Sequence, residues 1–184
     1  MIWLPNLLTF VRIALTPLVV HKILAGEFTA AFFWCFTAGI TDLFDGAVAR
    51  RFGAESRFGM VLDPAADKIL QVSVFVALGM AGAVPWTIVG LVFGRDILLV
   101  LGAAFFRATG RRVTFPPTIW GKWSTVIQIF AASAILGRFG APLEPLLLSL
   151  VAVGTVFSGL NYAARAISWW DTRELQIDSH RPGG

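Results

Sequence analysis

Charge is what this chain has least of. Asp, Glu, Lys and Arg together make up 14% of its residues, against roughly 25% in an ordinary soluble domain. There is one cysteine, so no internal disulfide can form, and Cys35 in its apolar run reads as a small packing side chain. Internal repeats and low-complexity segments are also missing. The opening MIWLPNLLTFVR has neither a basic leader nor a small-residue cleavage site, so the first apolar run is expected to stay in place rather than be removed.

What the chain has instead is apolar length. Apolar residues account for 57% of it and the mean hydropathy is +0.75, which points to an integral membrane protein. Apolar runs of about 18 to 25 residues suit helices crossing a ~30 Å hydrocarbon core. The expected spans are 7–24, 28–48, 62–83, 85–106, 119–137 and 143–168, which makes the fold class all-α with six transmembrane helices. The third is the most polar at its start, with Asp63, Asp67 and Lys68 in its first turns. The connections are short, so residues 1–170 form one helical domain, and the polar stretch 171–184 is a flexible cytoplasmic tail. Arg50, Arg51, Arg57, Arg107, Arg111, Arg112, Lys122, Arg165, Arg173 and Arg181 fall on one side of this arrangement, and little beyond Lys22 and Arg138 falls on the other. That asymmetry places both termini in the cytoplasm. The net charge of +4 then reads as topology and contact with anionic lipid, not nucleic-acid binding. Most of the tryptophans fall at span ends, as in an interfacial belt.

Against this background the stretch TDLFDGAVARRFGAESRFGMVLDPAADK, residues 41–68, carries Asp42, Asp45, Asp63 and Asp67. At ~100° per helical residue, Asp42 and Asp45 lie ~60° apart and Asp63 and Asp67 ~40° apart, while Ala49 nearly superimposes on Asp42. If the second and third spans are antiparallel neighbours joined near residues 51–58, the two pairs face each other at the cytoplasmic end. Four converging carboxylates repel unless cations hold them, and all-oxygen acidic ligands suit hard divalent ions such as Mg²⁺, Mn²⁺ or Ca²⁺. Structural readings compete for each residue alone: Asp63 before Pro64 as a helix N-cap, and Asp45 or Asp67 in ion pairs with Arg50, Lys68 or Arg12. For all four together those readings are weak, because each charge near hydrocarbon costs roughly 2–3 kcal/mol even on lenient scales. Gly46 and Gly59, lacking a Cβ, let a ligand approach the backbone, and Ala49 leaves room. Arg50 offers a planar guanidinium suited to pyrophosphate.

Written as a pattern, the stretch is D-x2-D-G-x2-A-R-x8-G-x3-D-x3-D, through Asp42, Asp45, Gly46, Ala49, Arg50, Gly59, Asp63 and Asp67. It resembles the signature of the CDP-alcohol phosphatidyltransferase family at every fixed position. The opening LPNLLTFVRIALTP and the later DPAADK, GRD and GKWSTVIQ are similar to landmarks of that family's glycerophospholipid-making branch. The resemblance implies a six-helix membrane fold, a homodimer, and two divalent metal ions, Mg²⁺ or Mn²⁺, in a site open to the cytoplasmic leaflet. It implies that CDP-diacylglycerol donates a phosphatidyl group to an alcohol, with CMP leaving. By motif position Asp42, Asp45, Asp63 and Asp67 are metal ligands, Asp67 is also the catalytic base, and Asp42, Gly46, Ala49, Arg50 and Gly59 bind CDP. His21 and His180 lie near the opposite face and in the tail, so neither suits a covalent mechanism, and direct displacement is expected.

The acceptor is expected to be glycerol-based. Lys122, Arg107 and Thr9 are its candidate contacts, Lys122 because Gly121, Lys122, Thr125 and Gln128 resemble a feature of the glycerol-phosphate and cardiolipin-making relatives. Arg111 and Arg112 read as positive-inside loop residues. Arg95 and Asp96 sit mid-run in the fourth span, where charge is expensive, so a mutual or site-directed pair is expected. Asn6, Thr9 and Arg12 share one helical face. Glycerol 3-phosphate, giving phosphatidylglycerophosphate, is the expected acceptor, and phosphatidylglycerol, in CMP-forming cardiolipin synthesis, is the alternative. A carboxylate-based ion or proton transporter is the competing class. It wants acids spread through the bilayer or repeated in two halves, and here they cluster once. The setting expected is a bacterial-type inner membrane.

Overall fold

A computed structural model describes residues 3–52, 59–108, 119–139 and 142–178. Six α-helices run through them, and among the described residues there is no strand: α1 Trp3–Leu24, α2 Phe28–Phe52, α3 Gly59–Met80, α4 Trp86–Ala108, α5 Ile119–Gly137 and α6 Glu144–Asp178. The all-α reading and the helix count hold. Two helices, Ile119–Gly137 and Glu144–Arg165, are long and apolar enough to cross a membrane, and Phe28–Ile40 is a shorter apolar stretch. By length and composition these two are candidate spans among the described residues, against the six expected.

Several helix boundaries differ from those expected: α1 starts at Trp3 rather than at 7, α2 runs to Phe52 rather than to 48, and α3 ends at Met80 rather than at 83. The third helix begins at Gly59, so Asp63 lies inside it and does not cap it as the N-cap reading required. The polar aspartates that lower the local hydropathy sit comfortably on a helix whose backbone bonds are internal. The sixth helix continues to Asp178, past residue 168, where the sixth expected span ends. A helix needs no apolar face to persist beyond the greasy segment, only uninterrupted backbone bonding.

The helix ends have local causes. After α1, Gly26 has φ 76°, and the Glu27 N–H reaches the Lys22 carbonyl at 2.9 Å. After α3, Gly82 has φ 72°, and the Ala83 N–H reaches the Leu78 carbonyl at 2.9 Å. Both are glycine-terminated caps in which the left-handed residue turns the chain and satisfies late carbonyls. The end of α5 copies that bonding, with Phe139 N–H on the Ala134 carbonyl at 3.2 Å, but Arg138 holds the turn at φ 54°.

The chain divides into two compact units, Met1–Val89 with Ile129–Leu148, and Gly90–Gln128 with Ser149–Gly184. In the first, α1 packs on both α2 and α3, and Val19, Ile23, Ala31, Val74, Phe75 and Leu78 are buried. Phe32 stacks on Phe36 and meets the Phe139 ring edge-on at 5.3 Å. In the second, α5 and α6 approach closely: a Cβ on Gly154 would lie 4.0 Å from the Ser124 Cα. Small residues at such crossings are what let membrane helices pack. The Trp120 and Phe157 rings meet edge to face at 4.9 Å.

Candidate functional site

The signature residues fall on two helices. Asp42, Asp45, Gly46, Ala49 and Arg50 are in α2, and Gly59, Asp63 and Asp67 are in α3. The helical registers on which the expected pairing of carboxylates depends are therefore present in the backbone. The side chains of Asp42, Asp45, Ala49, Arg50 and Asp63, like those of Thr9 and Arg107, lie outside the described residues, as does the 53–58 connection. Among the described residues, α1 is the element that packs against both α2 and α3.

Asp67 is the signature aspartate with a described side chain. Arg12, on α1, donates from Nη1 to Asp67 Oδ1. This is the Arg12–Asp67 pair weighed above as a structural alternative. The two partners differ sharply in environment, Arg12 being 5% exposed and Asp67 55%. The guanidinium is locked beneath the surface, where its neighbours fix it, while the carboxylate it holds opens outward. Thr16, one turn on, returns its hydroxyl to the Arg12 carbonyl at 2.9 Å, next to Pro17 inside α1. Threonine back-bonding of this kind is common where proline interrupts the ladder of an apolar helix. An ion pair thus ties the motif to α1, and it also orients the carboxylate assigned the base's role. Among the described residues no three His, Cys, Asp or Glu side chains form a metal-binding group. The donor set of the signature, acidic oxygens one helical turn apart on α3 with Asp67 open to solvent, fits hard divalent cations.

A second set of polar residues sits in the other unit. Arg95 on α4 is 7% exposed and its neighbour Asp96 14%, and Nη1 of the first donates to Oδ1 of the second at 2.7 Å. The mutual pair expected mid-span is present. Sequence reasoning missed what else Arg95 holds. Its Nε and Nη2 donate to Ser158 Oγ on α6 at 3.3 and 3.0 Å, and Nη2 lies 3.5 Å from the Gly121 carbonyl on α5. The guanidinium also stands over the Tyr162 ring, 5.9 Å from its centroid. The available signal was the spacing of Thr155, Ser158 and Tyr162 at three- and four-residue steps, a polar stripe on an otherwise apolar helix.

The GKWSTVIQ landmark separates into different jobs. Gln128 is buried and donates to Thr155 Oγ1 at 2.8 Å and Ser124 Oγ at 3.3 Å. Thr125 returns its hydroxyl to the Gly121 carbonyl at 3.2 Å. Lys122 is exposed and, among the described residues, has no hydrogen-bonding or ionic partner. Of these residues, then, Lys122 is the one available to a ligand. Asn161, on α6, keeps its Oδ1 buried with no hydrogen-bond partner, the one such atom among the described residues.

Among the described residues the chain is thus all-helical, has two candidate membrane spans, and carries an acidic signature on two of its helices. Residues 2–170 match the family model described as CDP-alcohol phosphatidyltransferase, and the chain belongs to that family. It is 36% identical over 167 residues to a probable cardiolipin synthase (CMP-forming) of Drosophila melanogaster, covering 90% of this chain and 48% of the relative. It is 34% identical over 174 residues to a probable phosphatidylglycerophosphate synthase of Mycobacterium tuberculosis, covering 89% and 81%. A CDP-diacylglycerol–glycerol-3-phosphate 3-phosphatidyltransferase of Haemophilus influenzae is 30% identical over 168 residues, covering 86% and 90%. The chain thus spans about half the length of the fly relative, and 30% of a cardiolipin synthase/hydrolase fusion protein of Schizosaccharomyces pombe.

Proposed function

We propose that this chain is a phospholipid-synthesising transferase that moves the phosphatidyl group of CDP-diacylglycerol to glycerol 3-phosphate, giving phosphatidylglycerophosphate and CMP. The observation that carries this reading is the unbroken acidic signature on α2 and α3, within a family match over residues 2–170. Relatives named for glycerol 3-phosphate transfer or phosphatidylglycerophosphate synthesis pair with it over most of their own length. The second reading is CMP-forming cardiolipin synthesis with phosphatidylglycerol as acceptor, favoured by the 36% identity to the fly relative.

In this reading Asp42, Asp45, Asp63 and Asp67 hold two divalent cations, Mg²⁺ or Mn²⁺. Such ions supply neutralising charge to a pyrophosphate and to the departing nucleotide. The chain's own residues do the rest. Gly46, Ala49 and Gly59 leave the space in which CDP lies along the helices, and the Arg50 fork pairs with phosphate oxygens. Arg12 orients Asp67, whose carboxylate accepts the proton of the acceptor hydroxyl. The freed oxygen attacks the phosphatidyl phosphorus, forming the new P–O bond as the P–O bond to CMP breaks. Lys122 binds the anionic group of the acceptor, with Arg107 and Thr9 completing its site. The six helices lie in a bacterial-type inner membrane as a homodimer, with both termini and the site facing the cytoplasm.

The test is CMP release from CDP-diacylglycerol by purified protein with Mg²⁺ or Mn²⁺ and either acceptor. Release with glycerol 3-phosphate, abolished by chelator and reduced on the order of 10³-fold by Asp67→Asn, is the expected result. Release with phosphatidylglycerol alone transfers the assignment to the second reading, and no release with either acceptor defeats both.

A further inference from the structure

Arg95 belongs to no part of the acidic signature, yet it is among the most constrained side chains in its unit. It leaves α4 as a buried cation, and its counter-ion Asp96 is the next residue in the chain. Neutralisation therefore needs no second helix. The remaining donors are directed elsewhere, to Ser158 on α6 and to the Gly121 main chain on α5. Gly159 on α6 lies against the stem, since a Cβ there would stand in ordinary contact, 4.0 Å from Arg95 Cγ. A buried ion pair is seldom the cheapest way to fill space, and apolar side chains of similar volume often serve stability as well or better. A hydrogen-bonding fork does what they cannot, which is to fix the rotation and height of one helix against another.

The helix so fixed carries a residue with work to do. Gly121 lies in the first turn of α5, and its carbonyl, which also accepts the Thr125 hydroxyl at 3.2 Å, lies 3.5 Å from Arg95 Nη2. The next residue is Lys122, exposed and without a partner among the described residues. We propose that Arg95 is a positioning residue for the acceptor: by tying the first turn of α5 to α6, it aims the Lys122 ammonium at the acceptor's anionic group. This rests on the transferase reading above, and it gives the unit of Gly90–Gln128 with Ser149–Gly184 a part in recognising the acceptor. Arg95 touches no substrate. Its geometry explains why an arginine is used, because a lysine has no planar fork and cannot bridge Ser158, Asp96 and the Gly121 carbonyl together.

The test uses the full chain in detergent or liposomes, with Arg95→Gln, Arg95→Lys, Ser158→Ala and Lys122→Ala. For Arg95→Gln the expected result is an acceptor KM raised about tenfold, with the CDP-diacylglycerol KM changed less than about twofold. Arg95→Lys should recover only part of this, and Ser158→Ala, which leaves the ion pair intact and so guards against misfolding, should raise the acceptor KM about threefold. In the Lys122→Ala background Arg95→Gln should add less than about twofold, because one residue acts through the other. Equal rises in both KM values, multiplicative effects in the double variant, or lost thermal stability with an unchanged acceptor KM would each overturn the assignment. A second measurement does not depend on turnover: a nitroxide at Lys122→Cys in a Cys35→Ala background should become more mobile when Arg95 is changed to Gln. Unchanged mobility defeats the proposal even if the enzyme is active. Increased mobility in a protein that releases no CMP upholds the tie to Lys122 and defeats only the reaction assigned above.

Discussion

In the unit formed by Met1–Val89 and Ile129–Leu148, the buried side chains are mainly aliphatic and aromatic, with Arg12 and Thr16 as the polar members among the described residues. In the unit formed by Gly90–Gln128 and Ser149–Gly184, Val92 and Val151 share the interior with Arg95, Ser124, Gln128, Thr155 and Ser158. Apolar contact is non-directional and tolerates small rotations of one helix on another. Hydrogen bonds lose strength quickly when misaligned, so a polar seam specifies rotation. The first unit is held by volume, and Arg12, its buried cation among the described residues, is paired with a half-exposed carboxylate. The second is held by direction, and its cation is consumed internally. The two Arg–Asp pairs condense the difference: Asp67 is 55% exposed and Asp96 14%.

The sharpest way to break this comparison is to neutralise each aspartate in turn. Asp67→Asn should cost catalysis on the order of 10³-fold, and should cost less stability than Asp96→Asn, because solvent reaches the half-exposed end of its pair. Asp96→Asn should reverse the pattern, costing about 3 kcal/mol by leaving the Arg95 cation buried without its counter-charge and sparing the CDP-diacylglycerol KM. Thermal melts beside CMP-release kinetics read both. Equal melting losses for the two variants would erase the contrast between an open and a closed pair.

Much of this was readable beforehand. The starts of α2 and α5 at Phe28 and Ile119 and the end of α1 at Leu24 fall where the apolar runs placed them, since hydropathy changes abruptly there and Gly26 marks the turn. The beginning of α3 and the end of α6 were not readable from hydropathy, because the helical backbone continues through Asp63 and beyond Arg165 while the side chains turn polar. For the site, the spacing of the acidic signature declared itself because helix register is a local property. The Arg12–Asp67 pair was one of several possible partnerships, and only the packing of α1 on α3 selected it. Ser158 and the Gly121 carbonyl, as partners of Arg95, could not be foreseen. Their encounter depends on how α4, α5 and α6 cross, which no linear spacing encodes.

A smaller effect tests the interiors directly. Leu78 is fully buried in the first unit, and Leu78→Ala should cost about 2–4 kcal/mol through lost transfer energy and the cavity left behind. Gln128 is equally buried in the second, but its side chain is held by Thr155 and Ser124. Gln128→Leu keeps most of the volume and removes both bonds, leaving two hydroxyls that can turn to other acceptors, so about 1 kcal/mol is expected. Denaturation of the two variants under one set of conditions makes the comparison. A larger loss for Gln128→Leu than for Leu78→Ala would mean that direction contributes more to stability than volume does, even in this greasy chain.

The smallest effect concerns the helix ends of the first unit, where three similar caps differ in one residue. Gly26 holds φ 76° and nothing lies within 4 Å of where a Cβ would stand, so Gly26→Ala introduces backbone strain and no clash. About 1 kcal/mol of destabilisation should follow. At the end of α5, Arg138 already bears the strain at φ 54°. Arg138→Gly relieves it, but also removes a guanidinium that stands 5.2 Å from the centre of the Phe28 ring, a contact contributing about 0.5–1 kcal/mol at an exposed site. The two terms nearly cancel, so a net change below about 0.5 kcal/mol is expected. Arg138→Asn separates them, since asparagine tolerates the left-handed turn but cannot cover the ring. If Arg138→Asn melts well below the parent while Arg138→Gly does not, the cation over Phe28 is what offsets the strain, and a side-chain contact has replaced the glycine that the other two ends require.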